Sequence, residues 1–347
     1  MKFASTRPPH VRPARSVTRV MGEVLLALVP ATVAWTWFFG PGILYNMAVA
    51  TATALACEAA VLALRGRAVR PHLADLSAVV TAILLAFCIP PLTPWWITAT
   101  GAAFAILFAK QLYGGLGYNP FNPAMAGYVV LLISFPEQMT RWLPPLLELA
   151  GTMPAALDAW QTLVFTLTGT LPTGTGWDAL TGATPLDDLR TQLQLAVPVD
   201  QVRAAPLYGV FGARGWEWTA AWIGLGGLYL LWRRVIRWQI PAAVLLGVCL
   251  PAALAWLLAP AAYPPPTFQL FSGATMLCAF FIATDPVSAA TSPRGRLVYG
   301  FCIGLLIFVI RSWGGYPDGV AFAVLLMNMA VPAIDHFTRP RTYGHAG

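Results

Sequence analysis

"VMGEVLLALVPATVAWTWFFGPGILYNMAVATATALACEAAVLALRGR", residues 20–67, decides the fold. It holds two apolar runs, 20–39 and 42–64, parted by Gly40 and Pro41 and closed by Arg65 and Arg67. Each run matches the ~20 residues that an α-helix needs to cross the ~30 Å hydrocarbon core of a bilayer. The first is too long for a signal-peptide core and leads directly into the second, so it reads as a span. The whole chain agrees: of 347 residues, 58% are hydrophobic and 10% charged, where a soluble domain carries about 25% charged residues. Its aromatic content of 12% argues against disorder, and its five cysteines are too scattered for a disulfide scaffold.

Eight more runs follow, at about 73–91, 94–112, 123–136, 216–232, 238–259, 267–284, 297–312 and 317–336. The expected fold class is an all-α polytopic membrane protein of about ten transmembrane helices. Lys and Arg orient it, because basic residues concentrate on the cytoplasmic side. With a cytoplasmic N-terminus, 16 of the 21 basic residues fall in inner segments, leaving Arg141, Arg190, Arg203, Arg214 and Arg311 outside. The net charge of +7 therefore belongs to the membrane surface, and no nucleic-acid partner is expected.

Ten crossings divide into five and five, and an odd number per half inverts the second half. The expected organisation is a cytoplasmic N-terminal tail (1–19), a first five-helix half (20–136), a long extracytoplasmic segment (137–215), a second half (216–336) and a cytoplasmic C-terminal tail (337–347). "GGLGYNPFNPA" (114–124) and "IATDPVSAA" (282–290) are Pro-broken stretches that support the repeat. Within the outer segment, 154–169 is short for a span and contains Asp158 and Gln161, so an interfacial or packed helix is expected.

Cys57, Cys88, Cys249, Cys278 and Cys302 lie within spans, and His10, His72, His336 and His345 lie near the inner face or in tails. None is spaced for a metal, so no metal site is expected. "DALTGATPLDDLR" (178–190) is more informative. Thr184 is placed as an N-cap, with Pro185 at N1 and Asp187 at N3. A hydroxyl at a helix start also suits an ester-linked phosphate, near free backbone N–H groups and the positive end of the dipole. Asp187 and Asp188 oppose this by repelling an anion, so the physics of the stretch permits either role.

"TGAT" at 181–184 looks like the S/T-G-A-T flavinylation motif. With it, 114–140, "GATMLCAFFIATDPVSAATSPRGR" (273–296) and "GGYPDGVAFAVLLMNMAVPAID" (314–335) resemble the D subunit of the Rnf ion-translocating ferredoxin:NAD oxidoreductase complex. The B subunit of the sodium-pumping NADH:quinone oxidoreductase shares the plan. This resemblance implies FMN esterified to Thr184 on the outer side by a separate transferase, with Thr181 the nearest rival acceptor. It also implies a non-covalent riboflavin in the membrane part, for which Asn119 and Asn122 are the matching candidates. Their amides can both donate and accept, or they can simply satisfy the carbonyls of a broken helix. The implied partners are the other Rnf subunits (A, B, C, E and G) in a bacterial inner membrane, and the implied activity is electron transfer coupled to ion transport. The chain is not catalytic alone, and no strand followed by GxGxxG offers NADH a site.

Carboxylates in or near spans are the ion-coupling candidates: Glu58, Asp285 and Asp318, since a charge at the bilayer centre costs on the order of 3 kcal/mol. For Glu58 an ion pair with a basic residue of another helix serves equally, and for Asp285 and Asp318 helix capping is the rival role. Lys110 is expected to snorkel to the inner interface. An inverted-repeat transporter or channel without a redox cofactor, and a purely structural anchor, remain as alternatives; the first predicts no flavin and no redox partners, the second that loss of Thr184 leaves activity intact.

Overall fold

A computed structural model describes residues 16–147, 155–316 and 318–339. Most of both tails, with His10 and His345, lies outside these residues. The labelled helices are α1 (Val17–Phe39), α2 (Gly42–Leu64), α3 (Ser77–Cys88), α4 (Trp95–Phe104) and α5 (Pro123–Ser134). Then come α6 (Ala159–Thr168), α7 (Pro185–Gln194), α8 (Trp216–Trp232) and α9 (Gln239–Leu258). The series ends with α10 (Pro266–Phe271), α11 (Thr275–Leu277), α12 (Pro293–Trp313) and α13 (Val320–Phe337). No strand occurs among the described residues, only a bridge between Tyr208 and Ala213.

Helix forms in each of the ten apolar runs, and five helices are long and apolar enough to cross a membrane: α1, α2, α9, α12 and α13. Of the rest, α8 fills its run of 216–232 and the others are interrupted or shorter, for local reasons. The run at 73–91 is divided where Leu76 takes φ 64° ahead of α3. The run at 267–284 divides between α10 and α11, where Gly273 takes φ 61°, a conformation glycine adopts without steric penalty. α4 continues in π form through Ala105–Gln111, and α11 through Cys278–Ile282. Such widened turns leave the ordinary i→i−4 ladder, often at functional sites.

Close packing relies on small residues, the usual device where lipid supplies no hydrophobic force between helices. A Cβ at Gly226 of α8 would collide with the Ala27 carbonyl of α1, and one at Gly304 of α12 with the Val244 carbonyl of α9. One large apolar core joins helices from both halves. Small separate clusters underlie the outer segment, one of them Leu186, Leu189, Val199, Val202, Tyr208 and Phe268. As expected for a packed helix, α6 lies along α2, with Tyr45 donating to the Ala159 carbonyl at 2.9 Å. Its Trp160 stays 70% exposed, as an interfacial aromatic would be.

Candidate functional site

The start of α7 has the capping geometry expected of it. Thr184 is extended (φ −67°, ψ 156°), and its Oγ1 accepts from the Asp187 N–H at 3.2 Å and donates to Asp187 Oδ2 at 3.0 Å. Pro185 at N1 needs no donor partner. The apolar face of α7 is buried, and its polar face is fastened at two points: Tyr208 Oη donates to Asp188 Oδ2 at 2.7 Å, and Arg190 Nη2 to the Gly314 carbonyl at 2.5 Å. The preceding loop is held by the Gly182 N–H, which donates to the Trp142 carbonyl at 3.0 Å. Trp142 in turn packs edge-on against Trp35 and Trp216.

Thr184 is half-buried and Ala183 exposed, so the hydroxyl can be reached from outside. Thr181 is half-buried too, its hydroxyl turned back to donate to the Trp177 carbonyl of its own helical turn at 2.8 Å. Burial pushes the Asp187 carboxyl above its ordinary value, against the lowering effects of the Thr184 hydrogen bond and Arg190. A raised proton affinity lessens the repulsion expected at this helix start. The site therefore fits a phosphoester on Thr184.

A second site lies between the halves. A cavity of about 140 Å³ is walled on one side by Ser77, Lys110, Asn119 and Asn122, and on the other by Phe280, Phe281, Thr284 and Asp285. The two Pro-broken stretches meet here. Asn119 Nδ2 donates to the Phe121 carbonyl at 3.0 Å, and Asn122 Nδ2 to the Ile282 carbonyl at 3.1 Å. Asn122 Oδ1 also caps α5 by accepting from the Met125 N–H at 3.2 Å. Each amide thus supports the broken backbone, and Asn119 also bonds the Asp285 carboxylate across the cavity. One wall carries two phenylalanines, and a few polar groups interrupt an otherwise aliphatic lining, a mixture common in small-molecule sites.

The three carboxylate candidates stand in three different places. Glu58 pairs with Lys110 at 2.6 Å, and both are 2% exposed. Lys110 does not snorkel as expected: it reaches inward because Glu58 and Ser77 give its ammonium two acceptors, at 2.6 and 2.8 Å. Asp285 faces the cavity and caps its turn, accepting from the Val287 N–H at 3.2 Å and Ser288 Oγ at 2.8 Å. Asp318 accepts from the Ala274 N–H at 2.7 Å and the Val320 N–H at 3.3 Å, and pairs with Arg311 at 3.0 Å. Capping is therefore present at both, with an added ion pair at Asp318.

One contributor escaped the sequence reading, and one carboxylate near a span end proves structural. Asn328, a lone amide in the apolar helix α13, accepts from the Asn122 N–H and donates to the Ser288 carbonyl and Tyr299 Oη. Its signal was present, since an isolated Asn inside a span wants a partner. Glu23 of α1 binds Tyr229 at 2.6 Å and Arg233 at 2.5 Å, fastening α1 to the end of α8. Among the described residues no group of three or more His, Cys, Asp and Glu stands together.

Long apolar helices packed through glycines, with paired internal charges and interrupted helices around a polar cavity, define a polytopic helical membrane protein. The chain belongs to the NQR2, RnfD, RnfE family, whose model matches residues 4–344. It is similar to two proteins named as the D subunit of an ion-translocating oxidoreductase complex, one from Salmonella typhimurium and one from Salmonella choleraesuis. Both are 52% identical to it over 354 residues, covering 99% of this chain and 99% of each relative.

Proposed function

We propose that the chain is the D-type membrane subunit of an Rnf-like ion-translocating oxidoreductase in a bacterial inner membrane. On this reading it carries FMN as an ester on Thr184, holds riboflavin in the cavity, and passes electrons between partner subunits (A, B, C, E and G) while an ion crosses the bilayer. The observation that carries the reading is the reachable Thr184 hydroxyl, at the cap of a helix pinned to the bundle within TGAT. When bound, flavins supply the redox chemistry; the chain's task is to place them and tune them through nearby charges. α7 orients Thr184 outward, and Asn119 and Asn122 line the cavity with their amides. Glu58, Asp285 and Asp318 are the groups whose charge state responds to electron flow.

The reading includes ten crossings in two inverted halves. Two parallels support it. In each half the third apolar run is divided, and in each half a buried cation near the end of the fourth holds that division. Lys110 reaches Ser77 at the start of α3, while Arg311 reaches the Ser272 carbonyl between α10 and α11 at 3.2 Å.

The test is flavin fluorescence of the denatured chain in a gel. A fluorescent band that disappears in Thr184→Val supports the ester. A dark band from a host competent in flavin transfer favours the cofactor-free transporter.

A further inference from the structure

Beside the cavity stands a hydrogen-bonded chain that links Glu58 to a partly exposed residue. Ser77 Oγ donates to Asp75 Oδ1 at 2.5 Å, Lys110 Nζ donates to Ser77 Oγ at 2.8 Å and to Glu58 Oε1 at 2.6 Å, and Gln111 Nε2 donates to the same Glu58 oxygen at 2.7 Å. The chain begins at a partly exposed residue, Asp75, and ends at a buried one. At its inner end Glu58 Oε2 and Gln111 Oε1 are both buried acceptors without a donor. Buried polar atoms are rarely left so. These two belong to side chains already joined through Glu58 Oε1, and a proton taken up on Oε2 would turn that orphan into a donor.

We propose that Asp75, Ser77, Lys110 and Glu58 form a proton relay that answers the charge in the adjacent cavity. The proposal rests on the cavity being a flavin site. At rest Glu58 carboxylate and Lys110 ammonium cancel. An electron delivered by a partner subunit to the cavity ligand adds negative charge beside Lys110, a cavity-lining residue, and one extra proton in the cluster compensates it. Transfer balances step by step. Lys110 gives a proton to Glu58. Ser77 gives its hydroxyl proton to the Lys110 amine and takes the proton of a protonated Asp75. The proton on Asp75 comes beforehand from bulk solvent, and Asp75 ends as the carboxylate that again accepts from Ser77. The net result is neutral Glu58 beside a charged Lys110, with Ser77 unchanged. Asp285 is the charged group on the opposite wall of the cavity.

The test uses the assembled complex. Non-covalent flavin is measured first, and a parent complex lacking it overturns the cavity reading rather than the relay. Proton uptake on reduction by dithionite is then followed with an indicator dye. Asp75→Asn keeps an acceptor for the Ser77 N–H, which now donates to Asp75 Oδ1 at 2.7 Å, and Ser77→Ala leaves the Glu58–Lys110 pair. With flavin content unchanged, uptake should slow at least about tenfold in both, and the hydroxyl of Ser77→Thr should restore it. Glu58→Gln should remove one proton from the stoichiometry. Uptake at the parent rate in both D75N and S77A, or an unchanged stoichiometry in E58Q, overturns the relay.

Discussion

The backbone N–H of Asn122 donates to the side-chain oxygen of Asn328 across 3.0 Å, joining residues 206 positions apart. This bond stitches the Pro-broken entry of α5 to the middle of α13, and the Asn122 amide extends the stitch to the end of the π turns after α11. Asn328→Leu would leave that N–H buried and unpaired and remove the donor to Ser288. Each orphaned group costs roughly 1–3 kcal/mol, so the thermal midpoint in detergent should fall. An unchanged midpoint would show that the stitch is idle.

Thr184 and Thr181 make separable predictions. Thr184→Val should abolish the fluorescent band and also lose a helix cap, at about 1 kcal/mol. Thr184→Ser, which keeps hydroxyl and cap, should retain the flavin, as should Thr181→Val. Mass spectrometry of the tryptic peptide containing 181–190 decides between the two hydroxyls.

Asp187 gives the outer segment a pH dependence. Its folded-state proton affinity is raised by burial, so its contribution to stability is complete below the ordinary carboxyl value of 3.8 and lost as pH rises through the raised one. Asp187→Asn removes that loss. The stability advantage of the variant over the parent, from denaturant midpoints of the unflavinylated chain, should therefore widen from acid to neutral pH. A gap that narrows would reverse the assignment.

Gly273 holds the corner where α7 meets the bundle. A Cβ there would sit 2.7 Å from both Arg311 Nη2 and Leu186 Cδ1, at φ +61°. Gly273→Ala should cost on the order of 2 kcal/mol through strain and displacement. Limited proteolysis of the outer segment should accelerate while α12 and α13 stay protected.

The carboxylates can be tested as a set. If Glu58→Gln, Asp285→Asn and Asp318→Asn each kept full ion transport at normal electron flow, their coupling role would be abandoned. Breaking the buried Glu58–Lys110 pair from one side should cost about 3–5 kcal/mol. The double variant Glu58→Gln with Lys110→Met should recover much of that in thermal midpoint.

What the sequence disclosed was what is encoded locally. Thr184, Pro185 and Asp187 specify a cap within four residues, and runs of apolar residues mark helices whether or not each is long enough to cross. Asn119 and Asn122 stood out because prolines follow both. Hidden from it was every relation that depends on which helices become neighbours. Lys110 looked like a snorkelling residue because nothing in its own helix shows that Glu58 and Ser77 converge on it. Arg311 was assigned to the outer surface for the same reason, yet it is 7% exposed against Gln269, Ser272 and Asp318. Phe280 and Phe281 passed as ordinary apolar residues, since a cavity wall differs from a core only by what is missing opposite it.

The two π-helical stretches make residue count itself a determinant of the cavity. Lys110 lies within one, and the other ends at Ile282, just before Thr284 and Asp285. Excising one residue from either stretch would let it relax to an ordinary α-helix and swing the downstream residues by about 100°. A single-codon deletion at Ala109 would then aim Lys110 elsewhere while leaving hydropathy almost untouched. Homologous chains of unequal length should absorb their insertions and deletions in other places, because these two windings behave as the indexing teeth of the assembly.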